Sequence, residues 1–178
     1  MPLDPLRLYR LVLDVALREN IALLNVGEGI FFLPERAFVY NVGKAIAVNA
    51  TSLFGSDRVR WLPETKVGSG GPSDLVYEVE GQKGLVIEFK RRGNIDRNLQ
   101  DLTKLADLDG NKYHRFFCVL VDAWPEKLHE DPRITNIESC LSPPKKVARV
   151  KSQFDFFSTL DRDFVNQVCC VVCLWEIT

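Results

Sequence analysis

Three charged residues stand at a spacing that would bring them together on one β-hairpin. Asp74 precedes a turn rich in glycine, and Glu88 and Lys90 follow that turn with one residue between them. Because side chains alternate across a strand, Glu88 and Lys90 point to the same face. A turn at residues 81–83 places Asp74 opposite Lys90 on that face. The spacing therefore predicts two carboxylates and one ammonium at the end of a sheet.

This cluster has the chemistry of a site for a hard cation. Two carboxylates without imidazole or thiolate ligands nearby favour Mg²⁺ or Mn²⁺. Such an ion polarises a phosphodiester and lowers the pKa of a bound water. Lys90 would orient that water and stabilise charge on the pentavalent phosphorane. Because Asp, Glu and Lys are common residues, a surface hairpin with scattered charges explains the same spacing.

The hydrophobic pattern predicts the elements that must position these residues. In chain order they are a helix over 4–20, a second helix over 34–54, strands over 58–67, 74–80 and 85–90, a helix over 96–108, a strand over 116–121, a helix over 154–165 and a strand over 168–175. This order is typical of an α/β fold with a mixed sheet, in which an antiparallel meander is joined to a crossover unit.

The motif Asp74…Glu88-Phe89-Lys90, on a hairpin between helices, resembles that of the PD-(D/E)xK nuclease superfamily. Members of that superfamily have the restriction-endonuclease-like fold, and the order of elements from Pro34 to Val121, about half of the chain, agrees with its αβββαβ core. One departure is that the proline stands two residues before Asp74. The resemblance implies a single nuclease-like domain over 1–178, with the helix 4–20 and the helix and strand over 153–176 as additions to the core.

The resemblance implies a role for each residue of the motif. Asp74 and Glu88 would bind the metal, and the main-chain carbonyl of Phe89 would be a further ligand. Lys90 would position the nucleophilic water. Asp74, Glu88 and Lys90 are thus the expected catalytic residues, with Mg²⁺ or Mn²⁺ as the cofactor.

Two further carboxylates are candidates for the same site. Many members of the superfamily add a glutamate from the preceding helix, and Glu35, in the first turn of the second predicted helix, is the best match. An acid in that turn is also favoured by the helix dipole alone. Glu64, near the end of the strand before a glycine-rich loop at 68–72, is a weaker candidate.

Basic and amide side chains just after the motif are candidates for contacts to DNA. They are Arg91, Arg92, Arg97, Gln100 and Lys104. Some members of the superfamily carry Gln-x-x-x-Tyr on the helix after the lysine, and here Lys104 stands in the tyrosine position. Gln100 and Lys104 share one helical face, so both could reach DNA or the metal site, but the pattern favours a solvated face.

Composition limits the function without choosing it. The chain has 178 residues and a net charge of −1, so nucleic-acid binding would need a local basic face. The apolar run around Cys170 and Cys173 predicts buried strand cysteines rather than a metal or redox site. No membrane-spanning segment, secretory signal or P-loop is visible, so a cytoplasmic protein without a nucleotide cofactor is expected.

The expected function is therefore a metal-dependent endonuclease that hydrolyses DNA. The last predicted helix and strand could serve a homodimer that cuts two strands. The alternative is a catalytically silent relative that binds DNA or a partner protein.

Overall fold

The computed structural model describes residues 3–127, 130–161 and 168–178. Its α-helices are α1 (Pro5–Leu24), α2 (Glu35–Val48), α3 (Ala50–Phe54), α4 (Ile95–Ala106) and α5 (Pro132–Thr135). Its strands are β1 (Val59–Lys66), β2 (Pro72–Val79), β3 (Gly84–Arg91), β4 (Tyr113–Ala123), β5 (Val147–Arg149), β6 (Phe156–Thr159) and β7 (Val168–Ile177). Short 3₁₀ turns lie at Ile30–Phe32, Pro125–Lys127 and Ile137–Ser139.

The strands form one seven-stranded mixed sheet flanked by helices. Its order is β1-β2-β3-β4-β7-β5, and β6 pairs with β7 beside this path. β1, β2 and β3 form the antiparallel meander that the sequence predicts, and α4 then crosses to β4, which pairs in parallel with β3. The prediction of an α/β fold with a mixed sheet is confirmed at this level.

Both faces of the sheet are covered. On one face Leu85, Ile87 and Phe89 pack in the hydrophobic core that also contains α1 and α2. On the other face Val86 packs with Leu102 of α4. Burial of both faces accounts for the nearly continuous apolar sequences of β3, β4 and β7.

The helix boundaries follow local signals where those are strong. The Asp4 carboxylate caps α1 by accepting from the N–H groups of Leu6 and Arg7, and Pro5 is the first helical residue. α1 continues to Leu24, four residues beyond the predicted end at Asn20. Asn20 is buried and hydrogen-bonds with its side chain to Ser158 and Ile30, so it joins α1 to other elements instead of ending the helix.

The prediction of a helix over 154–165 is wrong where the structure describes it. Phe156–Thr159 is the strand β6, which pairs antiparallel with β7 from Phe156↔Val171 to Thr159↔Val168. The spacing of Phe157 and Thr159 fits a strand as well as a helix, and the available edge of β7 decides between them. Residues 162–167 lie outside the described residues.

The cysteines and the helices bear on two further predictions. Cys170 and Cys173 are buried, free thiols within β7, as the apolar pattern predicts. None of the helices in the described part of the chain is long and apolar enough to cross a membrane.

Candidate active site

The register of the hairpin sets Asp74 beside Glu88. β2 and β3 pair as Leu75↔Ile87, Val76↔Val86 and Tyr77↔Leu85. Continued by one residue, this register places Asp74 level with Glu88, two residues from the predicted position opposite Lys90. The turn is longer than 81–83, because β2 ends at Val79 and β3 begins at Gly84. A shift of two residues keeps the side-chain face, so the three charged residues still share it.

Asp74 is held by the backbone of the neighbouring strand. The N–H of Phe89 donates a hydrogen bond of 2.8 Å to Asp74 Oδ2. Burial raises the pKa of Asp74 despite this hydrogen bond and the nearby charge of Lys90. The hydrogen bond fixes one carboxylate oxygen, which orients the side chain before any ligand arrives.

Glu88 is the most buried acid of the cluster, and α4 supplies its counter-charge. Its side chain is 3% exposed, and Oε1 lies 2.7 Å from the Lys104 ammonium. Burial raises the pKa of Glu88 to about 7, because desolvation outweighs the hydrogen bonds from Lys104 and Ser73. Glu88 therefore titrates near neutral pH in this state of the site.

Lys90 is paired with an acid that the sequence analysis did not select. Its ammonium lies 2.7 Å from Oδ2 of Asp101 on α4. Burial lowers the pKa of Lys90, but the hydrogen bond and charge of Asp101, with the charges of Glu35 and Asp74, outweigh it and raise the pKa. Lys90 is thus a cation at neutral pH, suited to orient and stabilise rather than to accept a proton.

The spacing on α4 contained the signal for Asp101. Asp101 and Lys104 are three residues apart and therefore neighbours on one helical face, next to the buried Leu102 and Leu105. Lys104 does not lie on a solvated face, because its side chain is only 15% exposed and pairs with Glu88. Gln100, on the same helix, is exposed.

Glu35 lies at the start of α2, as predicted, and contacts the end of β3. Its Oε2 accepts a hydrogen bond of 2.7 Å from the backbone N–H of Arg91. This contact anchors the helix to the strand that carries Glu88 and Lys90. Glu35 is also close enough to Lys90 to raise its pKa, so the carboxylate belongs to the electrostatic surroundings of the cluster.

Glu64 lies on the other side of Asp74, in an exposed position. β1 pairs with β2 through Pro63↔Leu75 and Thr65↔Ser73, which sets Glu64 level with Asp74. Its φ of 47° is in the left-handed region, and its carboxylate pairs with Arg36 at 3.5 Å. Glu64 thus lies on the exposed side of Asp74 and outside the buried cluster.

The predicted basic contacts divide into internal and exposed side chains. Arg91 donates to the carbonyl oxygens of Phe31 and Leu33. Arg92 pairs with Asp122 and Asp161 and lies over the Phe31 ring. Arg97, by contrast, is exposed on α4.

Arg91 and Arg92 therefore bind other parts of this chain. Arg97 and Gln100 remain as surface candidates for contacts to a ligand, at the start of the helix that carries Asp101 and Lys104. The cationic cluster read from the sequence is not one continuous surface, because two of its arginines are used inside the fold.

The donor set agrees with a hard cation in its chemistry. Among the residues that the structure describes, no group of three or more His, Cys, Asp or Glu side chains could hold a metal ion. Mg²⁺ needs fewer protein ligands, since it keeps several waters and is commonly held by one or two carboxylates. A cation bound between Asp74 and Glu88 would favour the ionised form of Glu88. Burial, and to a smaller extent the charge of Asp74, raise the pKa of Glu88 in its absence.

The comparisons with known proteins add no family to this description. No protein-family model, no curated protein and no solved structure matches the chain.

Proposed function

We propose that this chain is a metal-dependent endonuclease of restriction-endonuclease-like fold, which hydrolyses phosphodiester bonds of DNA. The observation that carries the proposal is the convergence of Asp74, Glu88 and Lys90 on one face of the β2–β3 hairpin. Chance charges on a surface hairpin would be solvated, whereas Glu88 is 2% exposed and Lys90 is held by a second acid. Burial of ionisable groups is costly and is typical of functional sites.

The arrangement of the elements supports the fold assignment. α2 precedes the antiparallel meander of β1, β2 and β3, and α4 leads to the parallel strand β4. This is the αβββαβ order of the PD-(D/E)xK nucleases, with the two candidate ligands on the second and third strands of the meander. α1 and the strands from β5 onward would be additions to that core.

The candidate metal ligands are Asp74, Glu88 and the main-chain carbonyl of Phe89. When bound there, Mg²⁺ or Mn²⁺ would polarise the phosphodiester and acidify a water. Asp74 contributes an oriented carboxylate, since Phe89 holds one of its oxygens. Lys90 contributes a fixed positive charge beside the attacked phosphate, and Asp101 keeps that charge protonated and in place.

One contact favours a second candidate function, a silent nuclease-like module that binds DNA or protein. Glu88 already has a cationic partner, because the Lys104 ammonium lies 2.7 Å from its Oε1. A metal ion at Glu88 would have to share or displace this partner. In a silent module Lys104 would permanently replace the cation, and the cluster would only stabilise the fold.

Metal-dependent nicking of supercoiled plasmid separates these two functions. The purified protein is incubated with plasmid in Mg²⁺, in Mn²⁺ and in EDTA, beside Asp74→Asn and Lys90→Met variants. The endonuclease nicks plasmid only with a divalent ion, and each substitution lowers the rate by about 10²–10³-fold, as for loss of a charge-stabilising group.

The matched control is Asp57→Asn, an equivalent change at an exposed position before β1. It should nick plasmid at the wild-type rate, and circular dichroism should give the same spectrum for all variants. A folded protein that shifts DNA on a gel but never nicks it would favour the silent module. Nicking that persists in Asp74→Asn would refute the assignment of the site.

A further inference from the structure

The outer face of α2 carries an exposed aromatic ring between two cations. Arg36, Tyr40 and Lys44 follow each other at intervals of four residues and therefore lie in one row along the helix. Tyr40 is 55% exposed. The Lys44 ammonium lies 5.2 Å from the centre of its ring, and Arg36 is 88% exposed in its side chain.

The Tyr40 ring has a firm support behind it. Its centre lies 5.5 Å from that of Trp61, and Trp61 stacks on the buried Tyr77 at 6.2 Å. Gly43 allows this packing, since a Cβ there would lie 2.3 Å from Trp61 Cζ2. Tyr77 in turn donates a hydrogen bond of 2.6 Å from its hydroxyl to the carbonyl of Gly43. The exposed ring is thus the outermost of a stack anchored in the core.

A cleft connects this ring to the candidate active site. The cleft has a volume of about 250 Å³. Its lining combines aromatic and apolar side chains with the carboxylates near the site, and includes Tyr40, Trp61, Pro63, Glu35, Glu64 and Asp74. A ligand that lies on Tyr40 therefore reaches Asp74 through one continuous depression.

We propose that this face of α2 binds a single strand of nucleic acid, with an unpaired base stacked on Tyr40 and phosphates next to Arg36 and Lys44. Proteins that bind single strands combine cations that follow the backbone with aromatic rings on which bases stack. Tyr40, between Arg36 and Lys44, has this composition. More than half of the Tyr40 side chain is exposed, so the ring face is available to a base. Paired bases in a duplex do not offer their faces to such a ring.

The proposal deepens the function proposed above and rests on it for the choice of nucleic acid as ligand. It names the substrate class, an unpaired strand or a junction between single and double strands, whose backbone would continue from Tyr40 to Asp74. The Glu64 carboxylate in the cleft pairs with Arg36 at 3.5 Å, although the Arg36 side chain is 88% exposed. Lys44 lies about two turns further along α2 than Arg36 and supplies positive charge at that end of the row.

Fluorescence anisotropy with a labelled oligothymidylate tests this binding without any cleavage. The full chain is titrated in EDTA, which prevents metal-dependent hydrolysis. Tyr40→Ala should weaken binding about tenfold, the usual effect of losing one stacking ring, while Tyr40→Phe should bind like the wild type. Arg36→Ala and Lys44→Ala should each reduce the salt dependence of binding. The same strand annealed to its complement should bind more weakly.

Phe156→Ala is the matched control, since it removes another ring that is 52% exposed, on β6. It should leave the affinity unchanged. Equal binding by the wild type and Tyr40→Ala, or no binding of single strands, overturns the inference. A Tyr40→Phe variant as weak as Tyr40→Ala also overturns it, because a hydroxyl contact and not stacking would then be responsible.

Two further arms separate this inference from the proposed activity and identify the nucleic acid. Oligouridylate in place of oligothymidylate distinguishes RNA from DNA as the strand bound. Tyr40-dependent binding by a protein that never nicks plasmid would retain the strand-binding face and reject the endonuclease. Nicking by a protein whose binding does not depend on Tyr40 would retain the endonuclease and reject the strand-binding face.

Discussion

Lys90 Nζ lies 2.7 Å from Oδ2 of Asp101, so the helix after the hairpin controls the only lysine of the motif. The two side chains are 24% and 19% exposed, which limits the screening of their charges by water. The pair holds the ammonium in one place and raises its pKa. Asp101 is therefore a positioning residue for Lys90 in the proposed reaction.

Asp101→Asn should lower the rate of cleavage about tenfold, in the range seen when a group that orients an active-site residue is lost. Because Asp101 raises the pKa of Lys90, its loss lowers that pKa, and activity should fall off at a lower pH on the alkaline side. Single-turnover cleavage across a pH series measures both effects. Asp107→Asn, at the end of the same helix, is the control and should match the wild type. An unchanged alkaline limb in Asp101→Asn would contradict the assigned role.

The pair of Lys104 and Glu88 leads to a second prediction, on metal binding. Lys104→Met leaves Glu88 without its partner, and breaking a buried ion pair from one side costs on the order of 3 kcal/mol. A divalent ion at Glu88 would restore the lost charge compensation. Lys104→Met should thus be destabilised in EDTA, and Mg²⁺ should stabilise it more than it stabilises the wild type, where Lys104 competes.

Thermal unfolding with and without Mg²⁺ measures this difference. Lys66→Met, at an exposed position at the end of β1, should gain from Mg²⁺ as much as the wild type does. If Mg²⁺ stabilises Lys104→Met no more than the control, Lys104 does not compete with a cation at Glu88. Only if Mg²⁺ stabilises none of these proteins would the silent module be the better interpretation of this ion pair.

Local sequence was sufficient to predict much of the hairpin and the face on which its charged residues lie. Alternation on β3 correctly separates Glu88 and Lys90 from the core residues Ile87 and Phe89. The register relative to Asp74 was predicted two residues away from its observed position, because it depends on the length of the turn after Val79. Side-chain alternation has a period of two residues, so it fixes the face but not such a shift.

Local sequence does not predict which residues pair with these charges. Asp101 approaches Lys90 only because α4 packs across the β3–β4 face through Leu102. Arg91 was expected to contact DNA, yet it bonds to the carbonyl of Phe31, which is sixty residues away in the chain. A run of arginines has the same appearance in sequence whether it meets solvent or distant backbone. Tertiary packing makes that distinction.

The buried carboxyl of Glu88 predicts how stability depends on pH. Its pKa is raised from 4.5 to about 7 in the folded chain. A raised carboxyl pKa favours folding below the unfolded value, and this contribution is lost as the pH rises through the folded value. Between about pH 4.5 and 7 the loss amounts to on the order of 3 kcal/mol, at 1.36 kcal/mol for each pH unit.

Glu88→Gln should remove this pH dependence, because an amide does not titrate. Urea unfolding in EDTA at several pH values compares the slope of the free energy of unfolding in the two proteins. Glu78→Gln, an exposed glutamate on β2, should retain the wild-type slope. A Glu88→Gln variant that keeps the wild-type slope would place the titrating group elsewhere.

Arg91 and Arg97 should separate structural from ligand-binding cations. Arg91 donates from its side chain to the carbonyls of Phe31 and Leu33, so Arg91→Met leaves polar groups unpaired and should lower the free energy of unfolding by about 1–3 kcal/mol. Arg97 is exposed on α4, and its replacement by Met should leave stability unchanged. If Arg97 contacts a phosphate, DNA affinity in Arg97→Met falls and the slope against salt drops by about one.

Urea unfolding and anisotropy with labelled DNA, both in EDTA, give the two readouts for the same pair of variants. Arg91→Met should lose stability, whereas Arg97→Met should lose the salt-dependent part of its DNA affinity. Because the Arg91 guanidinium donates to Phe31 and Leu33 just before α2, its loss would loosen the entry to α2, whereas the backbone N–H of residue 91 would still donate to Glu35. A stable Arg91→Met protein with weakened DNA binding would instead make Arg91 part of a DNA-binding surface, as the sequence predicts.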